Sequence, residues 1–316
     1  MTSGSDHFPM GQTGDLPAAG VQQLLPLGPA YANSQRWLDG RDSFRPSRER
    51  IRPEEFAVEP LDRMSAKRFV ERHHYSHTFV YELKNGSFGL WHKKGLNPAR
   101  LVGVASFSTP SNPGSIMRWA GLDDFRTGAE LGRFVLLDEV AGNGESYFLA
   151  RALRGLKQEH PELRVILSYS DPVPRRNLDT GALTFCGHLG CIYKATNAFY
   201  AGRASPKTLL LGRAGEAIPN RILTKLRNGE DGAEYAQDRL ERVSGIRRHA
   251  SESAPEFIER ALNAPAIRRT RHPGNHLYLF PLAENRRDKA AILKFPAIRQ
   301  LIERALPYPK ALDRAA

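Results

Sequence analysis

The run His73-His74-Tyr75-Ser76-His77 sets three histidines and a tyrosine in five residues. Histidine titrates near neutrality and ligates metals, so the run suits acid–base work or a metal centre. Neighbouring side chains cannot all face one ion on a regular backbone, and the run reads equally as a polar helix end with one buried histidine. Histidine beside tyrosine is also an acid/base and base-stacking pair. A second candidate is Asp171, in Ser168-Tyr169-Ser170-Asp171-Pro172. A carboxylate that closes a buried strand lies where open α/β sheets place ligands, as general base or metal ligand. An Asx turn before Pro172 is the plainer alternative. Arg133 interrupts an apolar strand, which directs it to a cleft or to an acid. Gly142 and Gly144 precede a helix that Ser146 opens, so their backbone N–H groups could face an anion. Asp138 and Glu139, just upstream, work against a phosphate there. Both cysteines, Cys186 and Cys191, flank His188 in FCGHLGCIYKATNAFYAG. That spacing is not a structural zinc pattern, and no second pair completes a tetrahedron. Gly187 and Gly190 instead point to a tight turn into a helix with Ile192, Ala195 and Phe199 on one face.

Several elements must hold these residues. A helix is expected over 65–73 with Ser65 as N-cap. Strands are expected over 88–91 and 101–107, joined by a Lys/Gly/Asn/Pro turn, and over 130–137, 164–169, 208–212 and 274–280. A helix over 146–160 links the third and fourth of these. Residues 219–227 and 232–243 read as helices, with Pro219 near the first helical position, and a basic helix is centred on 298–305. The order is that of an α/β (α+β) chain built on one central sheet. No GxGxxG follows a first strand, which argues against a dinucleotide fold.

The 316 residues carry 46 Lys and Arg against 34 Asp and Glu, a net charge of +12. A polyanionic partner follows from that excess, nucleic acid before membrane. No run of eighteen apolar residues and no signal-peptide pattern occurs, and two cysteines are too few for a disulfide scaffold. A cytoplasmic protein without a membrane partner is therefore expected. Residues 1–54, rich in Gly, Pro, Ser and Gln, read as a flexible basic arm whose arginine-rich 41–53 segment could lie along a phosphate backbone or equally be a solvated tail. A homodimer is left open.

Taken together, Arg133 in ELGRFVLLDE, Ser146 at the next helix start, SYSD ending at Asp171 and GHLGCIYKATNAFYAG resemble the phage Mom DNA-modification family. His74-Tyr75 fits that family's N-terminal motif. The resemblance covers roughly 60–212, with the late strand near 275–281; the arm and 214–272 lie outside it. It implies a fold similar to GCN5-related N-acetyltransferases: a splayed mixed sheet flanked by helices, with a V-shaped gap between strands 130–137 and 164–169. On that reading 55–213 is the catalytic core and 214–272 a basic helical insertion that contacts DNA. Residues 273–283 return to the core as a strand, and 284–316 form a basic C-terminal helix and tail. The family modifies adenine N6 in double-stranded phage DNA with a carbamoylmethyl group that resists host restriction, within the host cytoplasm.

The resemblance also implies association with iron. It carries over His74, Tyr75, Arg133, Ser146, Asp171 and Tyr193. Asp171 would be base or metal ligand, His74 ligand or acid/base, and Tyr193 a positioner. Arg133, Ser146, Gly142 and Gly144 would form the donor site. The chain departs from the pattern in an insertion at 173–186, and in lacking Arg or Gln before the glycines of 140–144, which leaves an acyl-CoA-type donor open. An extruded base needs aromatic partners, for which Tyr75, Tyr169 and Tyr193 are candidates. An ordinary acyl-CoA N-acyltransferase, an enzyme acting on another base and a non-catalytic DNA-binding protein are the rival readings.

Overall fold

The computed structural model describes residues 33–38, 41–46, 48–93 and 98–313. The first strands, β1 (Asn33–Leu38) and β2 (Arg41–Pro46), pair antiparallel. Next come β3 (Phe56–Pro60), α1 (Arg63–His73), β4 (Glu82–His92), β5 (Arg100–Ser108) and α2 (Pro113–Ala120). The centre of the chain is β6 (Gly128–Leu136), α3 (Gly144–Glu159) and β7 (Val165–Ser170). Short elements follow: β8 (Arg175–Arg176), β9 (Leu183–Phe185), α4 (Cys191–Ala195) and β10 (Phe199–Arg203). A distal unit holds β11 (Lys207–Leu211), β12 (Ala217–Ile218), α5 (Asn220–Asn228), α6 (Ala233–Ser244), α7 (Ala254–Leu262) and β13 (Arg268–His272). The chain then returns through β14 (His276–Pro281), α8 (Arg286–Ile292) and α9 (Pro296–Arg304).

Seven strands form one mixed sheet in the order β10-β14-β7-β6-β5-β4-β3. All neighbours are antiparallel except β6 and β7, whose crossover is α3. Strand alternation sorts the side chains onto two faces. Val102, Ile166, Tyr278 and Phe280 pack on one face with Phe148, Leu149, Ala152 and Leu156 of α3. Opposite, Val165, Leu167, Leu277 and Leu279 meet Ile116 of α2 and Ile298 and Leu301 of α9. Ala66, Phe69 and Val70 of α1 cover Val104 and Val135. Each fully buried large apolar side chain contributes about 1.5–3 kcal/mol. Burial of these stripes, more than helix propensity, thus fixes the helices on the sheet. The outcome is the expected α+β class. No helix among the described residues is long and apolar enough to cross a membrane.

One irregularity of the sheet creates a site. β6 and β7 pair only through Gly128↔Val165, Ala129↔Ile166 and Glu130↔Leu167. Past that point β6 stays with β5 as far as Leu136, and β7 stays with β14 to Ser170. The two central strands therefore part, and their free ends flank a gap.

Several expectations need correction. Residues 33–46 are not a loose arm: Arg36 is 6% exposed and docks the β1–β2 hairpin on the end of β6 and the start of α3. The part before residue 33 lies outside the described residues, as does the 94–97 turn between β4 and β5. β11, expected in the central sheet, pairs instead with β12 and β13. The helix after Gly190 stops at Ala195 because Asn197 turns left-handed at φ 61° and sends Phe199 into β10. The N-cap of α1 is Asp62, whose side chain accepts from the Ser65 amide; Pro219 stands at the N-cap position of α5, without a side-chain capping bond.

The distal unit departs from the sheet between β10 and β14, two neighbouring strands, and the Ala204 amide closes its base on Asn275 O at 2.9 Å. Its core is its own. Ile222, Leu223 and Leu226 of α5, Leu240 of α6, and Phe257 and Ile258 of α7 pack together.

Candidate active site

The gap between the parted strands holds a cavity of about 360 Å³. β6 supplies one wall with Glu130 and Arg133; β7 and its end supply Tyr169 and Asp171. The segment after α1 brings His74 and Tyr75, and the Gly187–Gly190 turn brings His188 and Tyr193. Five of the residues singled out in the sequence thus converge here: His74, Tyr75, Arg133, Asp171 and Tyr193.

Arg133 ties two of these walls together. Its Nε donates to Thr78 O at 2.7 Å, Nη2 to Thr78 Oγ1 at 2.8 Å and Nη1 to Gly132 O at 2.6 Å. A guanidinium has five N–H donors, so these bonds leave one on each Nη for a ligand. Burial lowers its pKa from an ordinary value near 12.5, with Tyr75 and Glu130 opposing.

His74 ends α1 as its C-cap. Its Nδ1 accepts from the Ser76 amide at 3.1 Å and lies 2.8 Å from Ser76 Oγ. Burial first, then the nearby Arg133, holds its pKa well below 6.5. The ring is therefore neutral at physiological pH, with the proton on Nε2. His77 turns away to the Glu71 carbonyl at 2.8 Å, and His73 packs on Phe69, so the three histidines do not share a centre. Tyr75 lies 4.2 Å from the His74 ring and 4.8 Å from Phe185. Burial and the Asp171 charge raise its pKa, which keeps the phenol protonated.

Asp171 is the most connected group. Oδ1 accepts from the Val173 amide at 3.0 Å, the Asx turn anticipated before Pro172, and from His272 Nε2 at 3.0 Å. Oδ2 pairs with Arg175. Burial pushes the carboxyl pKa up, but the His272 hydrogen bond, Arg175 and the Val173 amide outweigh it and hold it below the ordinary value. His272, 1% exposed, takes the Gly274 amide on Nδ1 at 3.1 Å, so its Nε2 must carry the proton donated to Asp171.

Tyr193 packs its ring on Tyr278 at 5.0 Å, and burial pushes its pKa up to about 12. The phenol therefore stays protonated and points its hydroxyl at the Tyr169 carbonyl, 3.5 Å away, so the residue serves as a wall. Gly190 makes room for it: at φ 69° a Cβ there would lie 2.6 Å from Tyr193 Cδ2. The cysteines take no part as thiolates, since burial raises both thiols, Cys191 to about 11.

The expected donor loop lies elsewhere. Ser146 Oγ donates to Asn143 O at 2.9 Å, and neither it nor Gly142 or Gly144 lines the cavity. The Gly142 amide donates to the Glu49 carboxylate at 3.1 Å, and Ile51 N takes Asn143 Oδ1 at 2.6 Å. An anion at this loop would meet a carboxylate of the same chain. The structure thus separates Arg133 from the other three donor-site residues.

A model of the Mom protein family matches residues 55–310. The chain belongs to that family. It is 26% identical over 189 residues to the methylcarbamoylase mom of Escherichia phage Mu, across 60% of this chain and 70% of that protein. The family match spans 214–272, which the motif resemblance left out, and so includes His272. Two residues escaped the sequence reading. His272 has no motif; it sits at the end of a basic strand, 101 positions from Asp171. His188 stood in plain view inside GHLG. Its amide binds Asp171 O at 2.8 Å, its ring forms no hydrogen bond among the described residues, and burial lowers its pKa although Asp171 and Asp42 oppose.

The iron that the resemblance implies on His74 and Asp171 does not fit these residues as arranged. His74 Nδ1 is taken by Ser76, and both Asp171 oxygens are engaged. Among the described residues no group of three or more His, Cys, Asp or Glu is placed to hold a metal ion.

Proposed function

We propose that this Mom-family chain is a transferase that adds a carbamoylmethyl group to adenine N6 in double-stranded DNA, and thereby protects phage DNA from restriction. The observation that carries this reading is the convergence of His74, Tyr75, Arg133, Asp171 and Tyr193 on one cavity. A duplex base reaches such a cavity only by leaving the stack, and an extruded base is held by aromatic rings and edge hydrogen bonds. Tyr75, with His74 and Phe185 against it, offers those rings. The net charge of +12 supplies the phosphate attraction.

Adenine N6 is a weak nucleophile because its lone pair is delocalised into the ring. As its bond to the incoming carbon forms, the bond from that carbon to its leaving group breaks and one N6 proton must depart. His188 is neutral, faces the cavity and senses the Asp171 charge, which would steady it once protonated. The two unused N–H groups of Arg133 suit the carbonyl of the transferred group. Asp171, held ionised by Arg175 and His272, gives the site its negative pole.

The test is mass spectrometry of nucleosides from DNA of cells that express the chain. Wild type should yield a modified deoxyadenosine, and Asp171→Ala should yield none. Only ordinary nucleosides from soluble wild-type protein would sink the proposal.

A further inference from the structure

The cavity has a wall that the family match does not reach. The match begins at residue 55, yet Gln35, Arg36, Trp37 and Asp42 of the β1–β2 hairpin line the same cavity as Arg133 and Asp171. Trp37 lies edge-on to Tyr75, with ring centroids 6.2 Å apart at 64°. We propose that the hairpin is a substrate-selecting wall and that Trp37 is the platform against which the acceptor base stacks. This rests on the DNA-modifying reading above and adds to it the residue that chooses a planar acceptor.

The hairpin is built to hold such a platform still. Arg36 Nε pairs with Glu145 at 2.8 Å, and its Nη groups donate to the carbonyls of Leu137, Val140 and Ala141. The neighbouring strand is pinned as well. Asp42, opposite Trp37 in the ladder, accepts from the Cys186 amide at 3.0 Å and from Gln35 Nε2 at 2.6 Å. A stacking surface on a rigid strand orders little on binding, which favours recognition. Trp37 itself takes no part in this anchoring and is only half-buried. Its ring joins those of His74, Tyr75 and Phe185 around the cavity. A flat heteroaromatic acceptor is the ligand such a ring set selects, since every base has a π-face.

The experiment compares wild type, Trp37→Phe, Trp37→Leu and Trp37→Ala on duplex DNA, by modification kinetics with nucleoside mass spectrometry. A second arm titrates a duplex carrying 2-aminopurine at the target position, whose emission reports unstacking and restacking without turnover. Loss of one base–aromatic stack predicts a KM raised about tenfold in Trp37→Leu and Trp37→Ala. Trp37→Phe should stay within about threefold, with kcat little changed throughout. The 2-aminopurine emission should be brighter when bound to Trp37→Leu than to wild type. Trp37→Leu with wild-type KM and emission overturns the inference, because apolar volume alone would then suffice. A matching fall in kcat for all three variants overturns it too, since that marks a structural defect. Wild type that modifies no DNA fails the functional reading and takes this inference with it, whereas active wild type with an indifferent Trp37 fails only the inference.

Discussion

Arg36→Ala is the sharpest probe of the fold around the cavity. The Arg36 side chain is 1% exposed and its partner Glu145 5%. Removing the arginine leaves a buried carboxylate without its cation and takes one donor from each of three carbonyls, those of Leu137, Val140 and Ala141. Breaking a buried pair from one side costs about 3–5 kcal/mol. Burial already raises the Glu145 pKa, so the carboxyl can protonate once Arg36 is gone, which limits the electrostatic share. The Leu137 and Ala141 carbonyls keep the Val140 and Gly144 amides, so the Val140 carbonyl alone is left unpartnered and adds about 1 kcal/mol. We therefore expect a loss of about 4 kcal/mol, or roughly a 6–12 °C fall in Tm for a chain this size. Urea unfolding and calorimetry measure it. Arg36→Met with Glu145→Leu should restore part of the loss but not all, because the Val140 carbonyl remains unpaired. A change below about 1 kcal/mol in Arg36→Ala, with the hairpin cut by protease as fast as an unfolded tail, would show that residues 33–46 are a dispensable arm.

Two further outcomes follow from the same geometry. Stability should fall as pH drops below about 6.5. His74, His188 and His276, the last lowered to about 4, all resist protonation in the folded chain, so the unfolded chain binds more protons in that window. Glu130 and Glu145, raised above 4.5 by burial, act in the opposite sense, while Asp171, held below its ordinary value, acts with the histidines. Denaturant midpoints between pH 7 and 5 give the sign, and a rise on acidification would refute the assignment. His272→Phe keeps the volume and removes the Nε2–H donated to Asp171. On the functional reading it should lower kcat about tenfold and move the acidic limb of the pH–rate profile upward, while wild-type KM for DNA persists. An unmoved limb would leave His272 with a packing role alone.

What the sequence could show tracks the range over which its signals act. β4, β5, β6, β7 and α3 were legible because apolar periodicity is a local property, repeated every two residues in strands and every three or four in helices. Motifs of a few residues likewise pointed to His74, Tyr75, Arg133 and Asp171, all of which reach the cavity. The hairpin was not legible. NSQRWL and RDSFRP alternate no apolar residues, and what fixes them is polar bonds to distant residues, among them an arginine that meets a glutamate 109 positions away. A buried ion pair leaves no periodic trace, so its two ends read as solvated charge.

The glycine loop before α3 shows a related effect. Gly142 and Gly144 do form a turn before α3, as their spacing implied, but a turn's exposed amides are a site only if nothing else in the chain fills them. Glu49 fills one and Asn143 turns its side chain to Ile51. The glycines serve packing: a Cβ at Gly144 would lie 2.5 Å from Val140 Cγ1. The same logic relocates the basic character of the cavity to Arg133, the cation there whose bonds to Thr78 and Gly132 leave donors over. A cavity with a cation on β6, an ionised carboxylate at the end of β7 and neutral imidazoles between them separates charge across the gap that the parted strands create. Closing that gap by extending the β6–β7 ladder past Glu130 and Leu167 would abolish the cavity while leaving every local motif intact.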